Sequence, residues 1–136
     1  MSSKSLVEKI QHQIGSVIDH VGVEIWKPTA DTLGGLICVC VELQNAASFV
    51  FLCNGDGRVG IRSGPLKCFS EDTYIQAANE FTGEALGSVE FTNSTMLITT
   101  TLHRMEIINN CDELVVVIDG KHVAISNGGE VALLDS

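Results

Sequence analysis

The sequence predicts an α+β domain: an N-terminal amphipathic helix packed on a curved antiparallel sheet, or on two small sheets, with a second short helix near residues 70–82. Three observations carry that expectation. Apolar residues recur at three- and four-residue spacing at the start of the chain and again briefly over residues 74–81. Elsewhere the pattern is alternation or short apolar runs, the signal of strands. Glycine- and asparagine-rich turns separate those runs, and such connections favour antiparallel neighbours because a parallel crossover needs a dozen or more residues. The 136 residues suit a single domain, 1–136, since about 150 residues bury roughly 68–70% of their unfolded surface without metals or disulfides.

Residues 5–20 read as the first helix. Ser5 and Glu8 have the S-x-x-E spacing of a capping box, and Leu6, Ile10, Ile14, Val17 and Val21 make one apolar stripe. Gly22 then fits a stop. Val21, Val23 and Ile25 alternate with Glu24 until Pro28. Leu36–Leu43 and Phe49–Cys53 are nearly continuous apolar runs, as strands covered on both faces would be. Asn54-Gly55-Asp56-Gly57 is a hairpin signal before the alternating Val59 and Ile61. Ser70-Glu71-Asp72 resembles a helix start, with Tyr74, Ala77, Ala78 and Phe81 at helical spacing and Gly83 as the stop. Strands are expected at 88–92, 95–102, 104–108, 113–119, 122–126 and 131–134. Asp119-Gly120 and Asn127-Gly128-Gly129 mark tight turns between them.

No catalytic or cofactor motif survives inspection of its context. Gly55 to Gly60 matches G-x-G-x-x-G, but a pyrophosphate site needs a helix next, and a strand is expected there. Cys38 and Cys40 share a strand face, yet an apolar strand lacks the loop knuckles of structural zinc. The five cysteines are an odd number without an export signal, so they are expected as free core thiols in a reducing compartment. The start of the chain has no apolar segment of signal-peptide type, and the expected location is the cytoplasm. His103 and His122 could serve acid–base chemistry, and Cys111 adjoins Asp112, but none has a motif around it. No cofactor, no metal and no enzymatic activity are expected.

Charge is more informative. The net charge of −9 falls wholly in the second half: residues 1–67 balance six acids with six bases, whereas residues 68–136 carry eleven acids against Arg104 and Lys121. A negative domain is ill suited to nucleic acid, whose phosphates require clustered Lys and Arg, and to acidic membranes. A basic protein is the natural complement. Glu71, Asp72, Glu80 and Glu84 flank or lie on the expected second helix, and Asp112 and Glu113 open a strand. These residues, with Tyr74 as an aromatic anchor, are the candidate partner-binding set. Phe69 and Trp26 are further candidate anchors. A merely solubilising acidic surface is the competing reading.

Size, charge and organisation, anchored on helix 5–20 and the acids from Glu71 onward, resemble immunity proteins of bacterial toxin systems, such as those of contact-dependent inhibition. The resemblance spans the whole chain. It implies a stoichiometric inhibitor that covers the active site of a basic toxin, often a nuclease, using the acids of residues 71–113. An acidic secretion chaperone is the alternative, although such chaperones usually end in a helix and this chain is expected to end in strands. A small enzyme or ligand-binding domain using His103, His122 or Cys111 is the third reading.

Overall fold

A computed structural model describes residues 3–26, 35–53, 57–64, 73–92, 94–111, 113–125 and 131–135. The architecture is mostly β, which corrects the α+β expectation. Among the described residues one helix, α1 (Ser3–Gln11), precedes eleven strands. The first sheet contains β1 (Ile18–Trp26), β2 (Gly35–Leu43), β3 (Ser48–Cys53), β4 (Val59–Ser63) and β5 (Thr73–Ala78), in the order β4-β3-β2-β1-β5. The second contains β6 (Leu86–Thr92), β7 (Thr95–Thr100), β8 (Arg104–Asn110), β9 (Glu113–Ile118), β10 (Lys121–Ile125) and β11 (Val131–Asp135). These six are ordered as a meander, β11-β10-β9-β8-β7-β6, and every pairing in both sheets is antiparallel.

The first helix is shorter than expected, nine residues in place of the sixteen of 5–20. It begins two residues before Ser5, so Ser5 is not a cap, and it ends at Gln11. Leu6 and Ile10 are buried, as the stripe requires, but Ile14 is exposed. Gly15 takes a φ of +95° and donates its N–H to the Leu86 carbonyl at 2.7 Å. That left-handed residue breaks the helix, and the β-branched Val17, Ile18, Val21, Val23 and Ile25 beyond it favour a strand. Pairing on two sides then decides the outcome: Val23 lies opposite Val39 of β2 and Gln76 of β5.

The expected second helix is also absent. Residues 73–78 form β5 along β1, and only a single 3₁₀ turn, Asn79–Phe81, is helical. The helical spacing of Ala77, Ala78 and Phe81 loses to the tertiary demand of β1, whose peptide groups on that side find partners in β5. Ser70, Glu71 and Asp72 lie outside the described residues.

The remaining strand expectations correspond closely to β2–β4 and β6–β11. Asp119 and Gly120, at φ of +53° and +81°, make the two-residue turn between β9 and β10. Asn54–Asp56 and Asn127–Gly129 fall outside the described residues, but β3 pairs with β4 and β10 with β11 across them. Of the Gly55–Gly60 motif, Gly55 and Asp56 lie outside the described residues, and Val59 and Gly60 belong to strand β4, not to a helix.

The sheets pack face to face, β2, β3 and β4 against β8 and β9. Val39, Val41, Phe49, Phe51 and Ile61 of the first sheet meet Met96, Ile98, Met105, Ile107 and Val116 of the second in one core. Helix α1 packs on β4 and β6 and contributes Leu6 and Ile10. Asn109, buried on β8, donates its side-chain amide to the Arg58 carbonyl at 2.7 Å and so ties the sheets together. The other face of the first sheet is buried too: Glu24, Cys38, Cys40 and Val50 are all below 5% exposed. Burial on both faces accounts for the unbroken apolar runs of β2 and β3. Among the described residues no helix is long and apolar enough to cross a membrane.

Candidate functional site

The most elaborate polar group lies at one end of the second sheet, around His103. Thr100 to His103 form the turn between β7 and β8, closed by the Thr100 N–H donating to the His103 carbonyl at 2.8 Å. Glu84, immediately before β6 and only 9% exposed, holds this turn from the side. Its Oε1 accepts from the Thr100 hydroxyl at 2.6 Å and from the Leu102 N–H at 2.8 Å. Its Oε2 lies 3.2 Å from His103 Nε2. The Ala85 N–H donates to the Thr101 hydroxyl at 3.0 Å, adding a second tie.

The opposite nitrogen of His103, Nδ1, lies 2.6 Å from Asp119 Oδ2. Asp119 sits in the β9–β10 turn, and its Oδ1 accepts the Arg104 N–H at 2.9 Å. The left-handed conformation that places this carboxylate is tolerated by Asp and Asn better than by most residues. Phe81, fully buried, meets the imidazole edge-on with ring centroids 5.3 Å apart.

Carboxylates only accept, so an imidazole bonded to one on each side donates from both nitrogens and carries a positive charge. The hydrogen bond to Asp119 is the largest influence holding the His103 pKa above its ordinary value, against an opposing effect of burial. Glu84, Asp119 and Glu80 add charge attraction. The same bond, with that from the Arg104 N–H, holds Asp119 below the usual carboxylate range. The group joins the approach to β6, the β7–β8 turn and the β9–β10 turn. Both His103 nitrogens are engaged, so its role here is that of a structural cation and not of a free base.

A second imidazole flanked by two carboxylates lies in the adjoining stretch of β1. His20 Nδ1 is 3.0 Å from Asp19 Oδ2, and Nε2 is 3.2 Å from Glu42 Oε2. Backbone bonds from Ile18 N–H to the Glu84 carbonyl at 2.8 Å, and from Gly83 N–H to the Ile18 carbonyl at 2.9 Å, bring this stretch of β1 beside the Glu84 segment. Asp19, His20 and Glu42 cluster closely enough to be considered as metal ligands. The ring lies between the two carboxylates, however, with one nitrogen turned to each. That arrangement suits an imidazole hydrogen-bonded to its neighbours better than three ligands converging on one ion.

The expected partner-binding residues separate. Glu80, exposed in the 3₁₀ turn, and Glu84 belong to the His103 end. Glu84, however, is turned inward and spent on internal bonds. Glu113 is exposed at the start of β9, at the far end of the strand from Asp119. Six strand steps, roughly 20 Å, separate them. Tyr74 lies opposite Ile25 in the β5–β1 register, and its side chain is outside the described residues. Glu71, Asp72, Asp112 and Phe69 lie outside them as well. Trp26, at the end of β1, is exposed. His122 shares a face of the second sheet with Val117 and Glu106, so it does not join His103. Cys111 is free and exposed, and Cys38 is free and buried. Burial first, then the Glu24 carboxylate 3.5 Å from its sulfur, pushes the Cys38 thiol up to about 12.

Sequence reasoning missed Asp119 as more than a turn residue, and it missed Leu102 entirely. Leu102 stands at the β7–β8 turn, 77% exposed, between Glu84 and His103 in the bonding network. A lone leucine in the T-T-T-L-H-R stretch would have been the available signal. Comparison of the chain with known protein families, curated proteins and solved structures found no match.

Proposed function

We propose that this protein is a stoichiometric binding module that neutralises a basic protein, in the manner of the toxin immunity proteins it resembles, and that it docks through the His103 end. One observation carries the reading: an exposed leucine projects from a turn held rigidly among carboxylates. Apolar side chains that enter a partner pocket contribute much of an interface's affinity, while surrounding charge raises the on-rate and rejects wrong partners. Here Leu102 is the apolar anchor and Glu80 and Asp119 are the exposed acidic rim. Arg104, ion-paired with Glu106, and Lys121 are the neighbouring cations. The turn is fixed before binding by the bonds from Thr100 and Leu102 to Glu84, so little ordering entropy opposes association.

The test begins by identifying the partner by low-salt affinity capture and then measures binding kinetics with purified components. Leu102→Asp is expected to accelerate dissociation, and joint Glu80→Lys and Asp119→Lys to slow association by about tenfold and flatten its salt dependence. An acidic partner, or rates unchanged by all three substitutions, refutes the assignment.

A further inference from the structure

The second sheet is apolar on both faces, yet the outer one is open. Leu97 of β7, Ile108 of β8 and Val115 and Val117 of β9 alternate with the core residues of their strands and are only half-buried. None of the four joins the core. The register brings them together: Ile108 lies opposite Val115, and Leu97 and Val117 lie on either side of Glu106. Strand propensity does not demand this patch. Threonine suits a solvated strand as well as valine does, and the same face uses it at Thr92, Thr95 and Thr99. In the first sheet, where β2 is also apolar on both faces, Val39 and Cys40 are both buried. Four adjoining apolar side chains left open on β7–β9 are the mark of a contact surface.

Charge says what kind of partner this surface fits. Residues 86–118, which contain β6–β9, hold four acids and a single Lys or Arg, Arg104. Arg104 is paired with Glu106 at 3.4 Å, which neutralises the carboxylate at the middle of the patch. Glu90, opposite Leu97, and Glu113, two residues before Val115, are exposed and make no ion pair with a described residue. On β9, Val115 and Val117 thus stand between the carboxylates of Glu113 and Asp119. A second copy of this chain would bring the same acids to the contact, whereas Lys and Arg complement them. Size favours the same face. A stable interface takes about 800 Å² from each partner, more than the turn around Leu102 presents. The open face of β6–β9 adjoins that turn and adds an area roughly 20 by 20 Å in plane.

We infer that the open face of β6–β9 forms the body of the interface and takes a basic amphipathic segment of the partner protein. The apolar stripe of that segment lies on Leu97, Ile108, Val115 and Val117, and its Lys or Arg side chains reach Glu90 and Glu113. This rests on the docking role proposed above and extends it from the turn to the adjoining sheet. The distance between Glu113 and Asp119, which separates acids expected to act together, becomes the length of the contact. A helix of fourteen residues is about 21 Å long, a match to the roughly 20 Å between those two positions.

Isothermal titration of the full chain with a fourteen-residue helical peptide of leucine and lysine, its leucines at i, i+3, i+4 and i+7, tests it. Two analogues serve as controls, one with serine for leucine and one with glutamate for lysine. The leucine–lysine peptide is expected to bind saturably, one per chain, at least about tenfold tighter than either analogue. Val115→Thr with Val117→Thr should weaken it about tenfold, as removal of two buried methyl groups does. Both positions are half-buried on the open face and threonine keeps the strand propensity, so unfolding should stay cooperative. Glu90→Gln with Glu113→Gln should flatten the salt dependence of binding. No saturable binding, equal affinity for the glutamate analogue, or unchanged affinity in the valine variant overturns the inference. So does a dimer of the parent chain in sedimentation that the valine variant dissociates, since a second copy then owns the face. The docking role fails separately. A natural partner that is acidic or indifferent to Leu102→Asp refutes that role, whereas a basic partner sensitive to Leu102→Asp but not to the valine variant overturns the sheet face alone.

Discussion

Removing the Glu84 carboxylate should loosen three segments at once. In Glu84→Ala the Thr100 hydroxyl, the Leu102 N–H and His103 Nε2 all lose their acceptor. Neutral hydrogen bonds contribute about 0.5–1.5 kcal/mol each, and those to charged groups about 1.5–3 kcal/mol. A simple sum overstates the loss, because the Thr100 hydroxyl also reaches the His103 carbonyl at 3.3 Å and Leu102 is open to water. The expected destabilisation is about 2–3 kcal/mol. For a domain of this size that corresponds to a fall in Tm of roughly 8–12 °C. Glu84→Gln keeps one acceptor oxygen for Thr100 and Leu102 but turns an amide toward His103, so it should cost about 1 kcal/mol. Urea unfolding with an unchanged m-value measures both. If Glu84→Ala lies within about 0.5 kcal/mol of the parent, or if the two variants are equal, the carboxylate is not the clamp described here.

Further outcomes follow from the same geometry. The His103 pKa is raised, so its contribution to stability is complete below about pH 6.5 and is lost as pH rises through the folded-state value. The Asp119 pKa is lowered, so its contribution is complete above about pH 3.9 and is lost as pH falls through the folded-state value. The stability difference between the parent and His103→Gln should therefore be greatest between about pH 4 and 6.5, and a difference constant from pH 4 to 9 would count against the network. Phe81→Ala, at a fully buried ring, should cost about 3–5 kcal/mol in denaturant titration. In the native protein, iodoacetamide at pH 8 should alkylate Cys111 readily and leave Cys38 unmodified, as peptide mapping will show; labelling of Cys38 at the same rate would contradict its burial. Gly87→Ala should destabilise by about 1–2 kcal/mol, because its Cβ would lie 3.1 Å from both the Thr99 carbonyl and hydroxyl oxygens.

Strands were legible where neighbouring residues sufficed to specify them. Asp119-Gly120 dictates a hairpin by its φ angles, and the alternation of Val59 and Ile61 survives in β4. The errors arose where a distant partner overrode a local pattern. Ile14, Val17 and Val21 continue the stripe of Leu6 and Ile10, yet β2 and β5 claim the chain from Ile18 onward. The same competition converts Thr73–Ala78 from the expected helix to a strand. At the candidate site, the acid-rich composition pointed to carboxylates but not to their placement. Glu84 and Glu113 look equivalent in sequence, whereas one is buried against His103 and the other is exposed at the opposite end of β9. The convergence of Glu84, His103 and Asp119 depends on the meander register, which fixes which turns meet.

The two sheets also differ in how far the chain must travel to build them. Each pairing from β6 to β11 joins consecutive strands across a short connection, so ring-closure entropy is small at every step. The first sheet is completed only when Val21 finds Ala78, with three strands intervening. Loop closure on that scale is slow and unrewarded until late, whereas hairpins form in roughly 1–10 μs. The meander is thus the natural early structure, with its hairpins available as a template before β5 docks on β1. Substitutions in β7–β9 should then slow refolding, while those at the β1–β5 seam should chiefly accelerate unfolding.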